Sequence, residues 1–317
     1  MVGVGSPCVP PRLPSPCPII THVSKSASTP QDDVAHPAAT VIVLRDAPGG
    51  PEVFMVRRGE GAAFMAGAYV FPGGRVDAAD REAADPRWCD GIDAAASQLA
   101  DVPPADAIAY HIAAARELFE EAGVLLARDA SGHFVSLADA AAHARFAQDR
   151  RDVHGRGLVL RDIVEREGLR LALDALVPFA HWVTPPVDVR RFDTRFFVTR
   201  VPPEQTPAHD ETETTHSVWI AAAAAIARCR RDEIMLPPPT WTTLREIERF
   251  GSVDETVAWA RQRRIVRREP TFVEQAGQKL LLLPGDPLNP ERPTDAPPAE
   301  TRFVLTNGRW RAEAART

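Results

Sequence analysis

Lysine is almost missing from this chain of 317 residues: Lys25 and Lys279 are the only two, so nearly all of the 37 basic residues are arginine. A guanidinium is planar and suits bidentate contacts with phosphate and carboxylate, but a skew this uniform reads first as compositional bias. Cysteine is also scarce. Cys8, Cys17, Cys89 and Cys229 fit no zinc-knuckle or redox-pair spacing, which leaves a reducing, cytoplasmic setting as the expectation. No run of eighteen apolar residues is present, so no transmembrane helix and no membrane partner are expected. The first thirty-five residues lack the basic start and continuous apolar segment of a signal peptide. An excess of positive charge is absent too: the net charge of -6 argues against a surface that coats nucleic acid.

What is present is an ordinary globular composition, 44% hydrophobic and 25% charged, in a chain long enough to bury a full core. The Pro- and Ser-rich residues 1–36 read as a disordered tail, 37–265 as the folded domain, and 266–317 as a C-terminal extension. Residues 39–45 and 52–57 are β-rich runs joined by a Gly/Pro turn, and 68–71 is a short third strand. Helices are expected at about 107–128, 137–151, 160–167, from 221, and at 240–250 and 253–263. Strands are expected at 181–184, 194–199 and 217–220. In the extension, 279–283 and 302–305 are strand-like and could pair as an accessory hairpin.

Chemistry concentrates in two segments. The first is Phe71-Pro72-Gly73-Gly74, where glycine lets the backbone approach a ligand without an intervening Cβ. The second runs from Arg116 through Glu117, Glu120 and Glu121 to Gly123-Val124 in a run of helical periodicity. That spacing gathers the three carboxylates on one side, with Ile112, Ala115, Leu118, Phe119 and Ala122 on the other. Each like-charged pair costs about 0.2–0.5 kcal/mol in a bare helix, and a divalent cation would reverse the sign.

Together these segments resemble the signature of the Nudix hydrolases, G-x5-E-x7-R-E-U-x-E-E-x-G-U. The helical half matches at every specified position. In the loop half Gly74 fits the first glycine, but Asp80 stands where the glutamate is expected, and 35 residues rather than seven separate it from Arg116. Residues 81–107 read as an inserted loop. Residues 67–74, 190–197, Trp219 and 236–241 resemble the branch of the family containing coenzyme A diphosphatases. The resemblance implies an α/β (α+β) sandwich around a mixed sheet, with the insertion inside the signature and a further helical insertion at about 135–178. It also implies Mg²⁺ or Mn²⁺ held by Glu117, Glu120, Glu121 and the Gly74 carbonyl, with Glu120 and Glu121 foremost. By the same resemblance Arg116 is expected to orient the carboxylates and Glu213 to complete the site, with Glu211 next in order.

Arg57, Arg58 and Arg75 lie at a strand end and beside the glycine loop, where they could reach substrate phosphates. Asp77 and Asp80 could hold the loop or serve as turn and cap residues. His111 reads as an interior histidine, while His181 and Trp182 read as packing residues or as an adenine-stacking pair. The expected reaction is hydrolysis of a pyrophosphate bond in a small-molecule nucleoside diphosphate derivative, first of all coenzyme A or acyl-coenzyme A. ADP-ribose, a nucleotide sugar or a dinucleotide is the alternative substrate. A non-catalytic nucleotide-binding regulatory module is the alternative of another class, and the intact Arg116, Glu117, Glu120 and Glu121 argue against it. A monomer and a homo-oligomer both accord with the sequence.

Overall fold

A computed structural model describes residues 34–61, 65–155, 157–188, 190–210, 213–289, 294 and 297–314. Almost all of the expected N-terminal tail, with Cys8 and Cys17, and the candidate Glu211 lie outside the described residues. Strand β1 (His36–Ala47) returns as β2 (Gly50–Arg58) through a turn in which Ala47 faces Gly50. Gly50 takes a φ of 104°, a conformation costly for any residue with a Cβ. Val41 and Val43 face one side of the sheet and Ile42 and Leu44 the other, so β1 is buried on both faces. Short strands β3 (Tyr69–Val70) and β4 (Gly73–Arg75) pair with β2 and β1, respectively.

Residues 81–107 are not simply a loop. Helix α1 (Ala78–Glu82), strand β5 (Cys89–Asp90) and helix α2 (Ile92–Gln98) occupy much of this stretch, and α3 (Pro104–Ala122) already begins within it. Gly91, at φ 72°, caps the start of α2, whose Ala95, with the following Leu99, is buried in the core. Helix α3 opens with proline at its first position and closes at Gly123, whose N–H donates to the Phe119 carbonyl from a left-handed conformation. That cap ends the helix six residues before the expected 128, and Ala127–Arg128 instead form strand β6.

Helix α4 (Ala140–His154) starts three residues later than expected because Asp139 caps it, its carboxylate accepting from Ala142 N–H at 2.9 Å. Helix α5 (Leu160–Arg166) and strand β7 (Arg170–Ala172) follow, and β7 joins β5 and β6 in a three-stranded sheet. Strands β8 (Val177–Val183), β9 (Phe192–Arg200) and β10 (Thr214–Ala221) complete most of the main sheet. Helices α6 (Ala222–Arg230), α7 (Pro238–Ile247) and α8 (Val253–Gln262) come next, then β11 (Arg267–Arg268).

The main sheet has eight strands along the path β10-β2-β1-β9-β8-β11, with β3 and β4 beside it. It is mixed, since β1 runs parallel to β9 and antiparallel to β2. Helix α3 and the inserted elements cover one face, while α6, α7 and α8 cover the other. The extension forms β12 (Thr271–Gln275), β13 (Gln278–Leu282), β14 (Arg302–Thr306) and β15 (Arg309–Glu313), a four-stranded antiparallel meander. The two strand-like runs do pair antiparallel, Leu280 opposite Val304, and form the inner pair of that sheet. Among the described residues no helix is long and apolar enough to cross a membrane.

Candidate active site

The glycine loop and α3 meet at one end of the main sheet. Gly73 and Gly74 pair across from Thr40 and Ala39 of β1, which brings their backbone under α3. Neither position has room for a Cβ. At Gly73 it would stand 2.4 Å from the Ala39 carbonyl oxygen, and at Gly74 2.4 Å from Glu117 Oε1. The Gly73 N–H donates to Glu121 Oε2 at 2.9 Å, so loop and helix are also joined directly. Gly74→Ala is expected to displace the Glu117 carboxylate and cut the hydrolytic rate by about 10–100-fold, the scale of an orienting contact. Steady-state rates beside a melting curve check this; an unchanged rate in a folded variant would contradict it.

Arg116 organises the acidic groups. Its Nη1 donates to Glu117 Oε1 and to Glu120 Oε1, both at 2.8 Å. Its Nε and Nη2 grip Asp80 at 2.9 and 3.1 Å, and Nη2 also reaches the Arg75 carbonyl at 2.7 Å. Asp80 in turn accepts from Asp77 N–H at 2.7 Å. The aspartate that departs from the signature therefore ties the loop to the helix through Arg116, and it is only 2% exposed. Burial works against the Arg116 charge, but Asp80, Glu117 and Glu120 outweigh it and raise its pKa.

Glu117 and Glu121 are under electrostatic pressure. Burial, with repulsion from Glu120, pushes Glu117 up to about 7 against the attraction of Arg116. Burial also drives Glu121 well above the ordinary carboxylate value, helped by Glu117 and Glu213 and opposed by the Gly73 N–H and Arg58. For Glu117 the folded pKa exceeds the ordinary 4.5, so its stabilising contribution is complete below about 4.5 and is lost as pH rises through about 7. Metal-free protein is thus expected to lose melting temperature relative to Glu117→Gln across that window, at ~2–4 °C per kcal/mol. Calorimetry in EDTA at pH 5 and pH 8 reads the difference, and a wild type that gains on the variant would contradict the sign.

Glu213 sits at the edge of this group, exposed, with its N–H donating to Asp210 Oδ2 at 3.1 Å. Arg58 is close enough to oppose the ionisation penalty of Glu121. Arg57 is elsewhere: strand alternation turns it to the face carrying Val53 and Met55, where it pairs with Glu60 at 2.5 Å. The Arg75 side chain is exposed, and its carbonyl rather than its guanidinium joins the site's hydrogen bonds. His181 and Trp182 are buried, His181 hydrogen-bonded to Asp193 at 2.9 Å, so they do not form an exposed stacking surface. His111 is interior, bonded to the Ala107 carbonyl at 2.8 Å and pushed down to about 4 by burial.

Two side chains of α4 that no sequence motif singles out also reach this site. Arg150 Nε donates to the Glu120 carbonyl at 2.7 Å, and His154 Nδ1 lies 3.9 Å from Glu120 Oε2. Their spacing of four residues places them on one helix face, but nothing local says that this face meets α3.

Among the described residues no three acidic, histidine or cysteine side chains converge ready to hold a metal, since Glu117 and Glu120 each turn an oxygen to Arg116. The donor chemistry nonetheless suits a hard cation. The site is rich in oxygen donors, with Asp80, Glu117, Glu120, Glu121 and Glu213 set around Arg116 and Arg58.

A mixed sheet between helical layers carries a glycine loop and a carboxylate-bearing helix joined at its end. The chain belongs to the Nudix hydrolase family, the pyrophosphohydrolases built on this arrangement. The NUDT19 Nudix domain matches residues 92–249, which include the signature helix. The acyl-coenzyme A diphosphatase NUDT19 of Gallus gallus is 31% identical over 304 residues, covering 81% of this chain and 80% of that one. Its Homo sapiens counterpart is 30% identical over 286 residues, covering 75% and 72%. A NUDIX hydrolase structure from Alicyclobacillus acidocaldarius aligns with a TM-score of 0.59 at 28% identity, covering 71% of this chain and 96% of that one.

Proposed function

We propose that this Nudix hydrolase splits coenzyme A or acyl-coenzyme A into the (acyl-)phosphopantetheine and adenosine 3',5'-bisphosphate, with Mg²⁺ or Mn²⁺. The observation that carries the site assignment is the Arg116 hub, which presents Glu117 and Glu120 beside the Gly73–Gly74 backbone while Gly73 N–H holds Glu121. The choice of coenzyme A rests on relatives of that description matching most of the chain. Bound at Glu117, Glu120, Glu121 and the Gly74 carbonyl, the cation would neutralise diphosphate charge and acidify the attacking water.

The protein's own part is orientation and proton handling. Arg116 fixes two of the carboxylates, and its grip on Asp80 and the Arg75 carbonyl keeps the loop from drifting off the helix. Glu213, exposed at the rim, takes the proton released by water. Arg58 supplies a guanidinium on the same face for a substrate phosphate. Arg57 takes no part in that contact.

Product analysis by mass tests the reading, with coenzyme A, acetyl-coenzyme A, ADP-ribose, NADH and nucleotide sugars offered with Mg²⁺ or Mn²⁺ beside a Glu120→Gln control. Phosphopantetheine formed by the wild type and absent from the control is the expected result. Cleavage confined to the other substrates would overturn the coenzyme A assignment, and tight binding with no turnover would favour a regulatory binding module.

A further inference from the structure

Two hollows meet on the side of the main sheet opposite α3. One is a polar recess of about 610 Å³ at the end of β2 and the start of β10, lined by Arg57, Tyr69 and His216 among others. The other is a slot of about 140 Å³ between α7 and β15, walled by Leu236, Trp241, Trp310 and Ala312. Ile234, Met235 and Arg309 line both, so recess and slot form one continuous groove.

The charged groups around the slot are already engaged. Arg311 Nη2 holds Asp232 at 2.7 Å, Arg309 Nη1 donates to the Asp232 carbonyl at 2.9 Å, and Arg230 lies over the Trp241 ring. That leaves aromatic and aliphatic surface for whatever enters. Trp241 is 6% exposed, and its Nε1 has no acceptor among the described residues. By comparison with engineered cavities of ~150 Å³ that admit benzene, the slot has room for a chain of about six carbons.

The groove also begins where the chemistry ends. Arg57 and Arg58 are consecutive at the end of β2, one facing the recess and the other the carboxylates, and Tyr69 precedes Gly73 by only one short stretch of chain. A ligand with its diphosphate at α3 and a long flexible arm could turn the sheet end at β3 and lay its apolar tip in the slot.

We propose that the groove between α7 and β15 binds the acyl chain of an acyl-thioester substrate, so that the C-terminal sheet selects for chain length. The choice of ligand rests on the acyl-coenzyme A reading above. The slot takes the alkyl tail, and the recess receives the polar part of the arm beside Arg57 and Arg309.

Two readouts test it. In the first, kcat/KM is compared for coenzyme A and hexanoyl-coenzyme A in the wild type, in Ala312→Leu of β15, and in Cys229→Leu of α6, a second residue that lines the slot. Either filled variant should lose about tenfold or more on hexanoyl-coenzyme A and less than twofold on coenzyme A, the scale at which pockets discriminate methylene groups. In the second, tryptophan fluorescence is titrated with S-hexanoyl-pantetheine, which carries no phosphoanhydride. A saturable response in the wild type that vanishes in a folded filled variant supports the slot even if no substrate is cleaved, and only the catalytic reading would then fall. Parallel losses on both substrates, or no change on either, with no fluorescence response, would overturn the slot while leaving coenzyme A hydrolysis standing.

Discussion

Glu121→Gln is expected to lower the rate of pyrophosphate hydrolysis by about 10²–10⁴-fold, the range commanded by a group that stabilises charge or handles a proton at the reacting centre. The substitution keeps size and removes the carboxylate charge. It also keeps an oxygen able to accept from the Gly73 N–H, so the loop–helix contact has a substitute and the melting temperature should hold or rise. A rise would be consistent with relief of a buried carboxylate already crowded by Glu117 and Glu213. Rates and melting curves measured together separate the two effects. A variant with near-normal activity would remove Glu121 from the chemistry.

Arg116→Ala should have the largest effect on stability, about 3–5 kcal/mol, because it leaves buried acidic partners without their counter-charge. Asp80 is the critical one, at 2% exposure and held by two guanidinium nitrogens. Urea denaturation reads the loss, and a double-mutant cycle with Asp80→Ala should show that the two single losses do not add. Additive losses under 1 kcal/mol each would mean that the pair is incidental. Activity should fall with Arg116→Ala as well, since Glu117 and Glu120 lose the donor that sets their orientation.

The helical half of the site was legible in the sequence because helix geometry is local: Arg116, Glu117, Glu120 and Glu121 fall on one side of the helix whatever surrounds them. The glycine loop was legible for a similar reason, and the Cβ distances at Gly73 and Gly74 give it a physical basis. The role of Asp80 was visible only as one of several options. Its partner is 36 residues away, across a segment whose folding hinges on Gly91 in a left-handed conformation and on one small helix burying Ala95. Arg57 shows the limit of proximity along the chain. It neighbours Arg58, yet a strand sends alternate side chains to opposite faces, so only one of the two could face α3. Arg150 and His154 reach Glu120 through packing of α4 on α3, for which neither helix carries a local mark. In the extension, β13 and β14 stood out by their leucine, valine and phenylalanine runs, whereas β12 and β15 hold only two apolar residues each, Phe272 with Val273 and Trp310 with Ala312, and join the sheet through pairing.

The most direct test of the central claim is the mass of the products formed from coenzyme A and Mg²⁺ in ¹⁸O-labelled water, for the wild type, the wild type in EDTA, and Glu121→Gln. The site described here predicts one ¹⁸O atom in one of the two phosphate products of the wild type, no cleavage in EDTA, and cleavage slowed by about 10²–10⁴-fold in Glu121→Gln. Cleavage that persists at the wild-type rate in both EDTA and Glu121→Gln would contradict it.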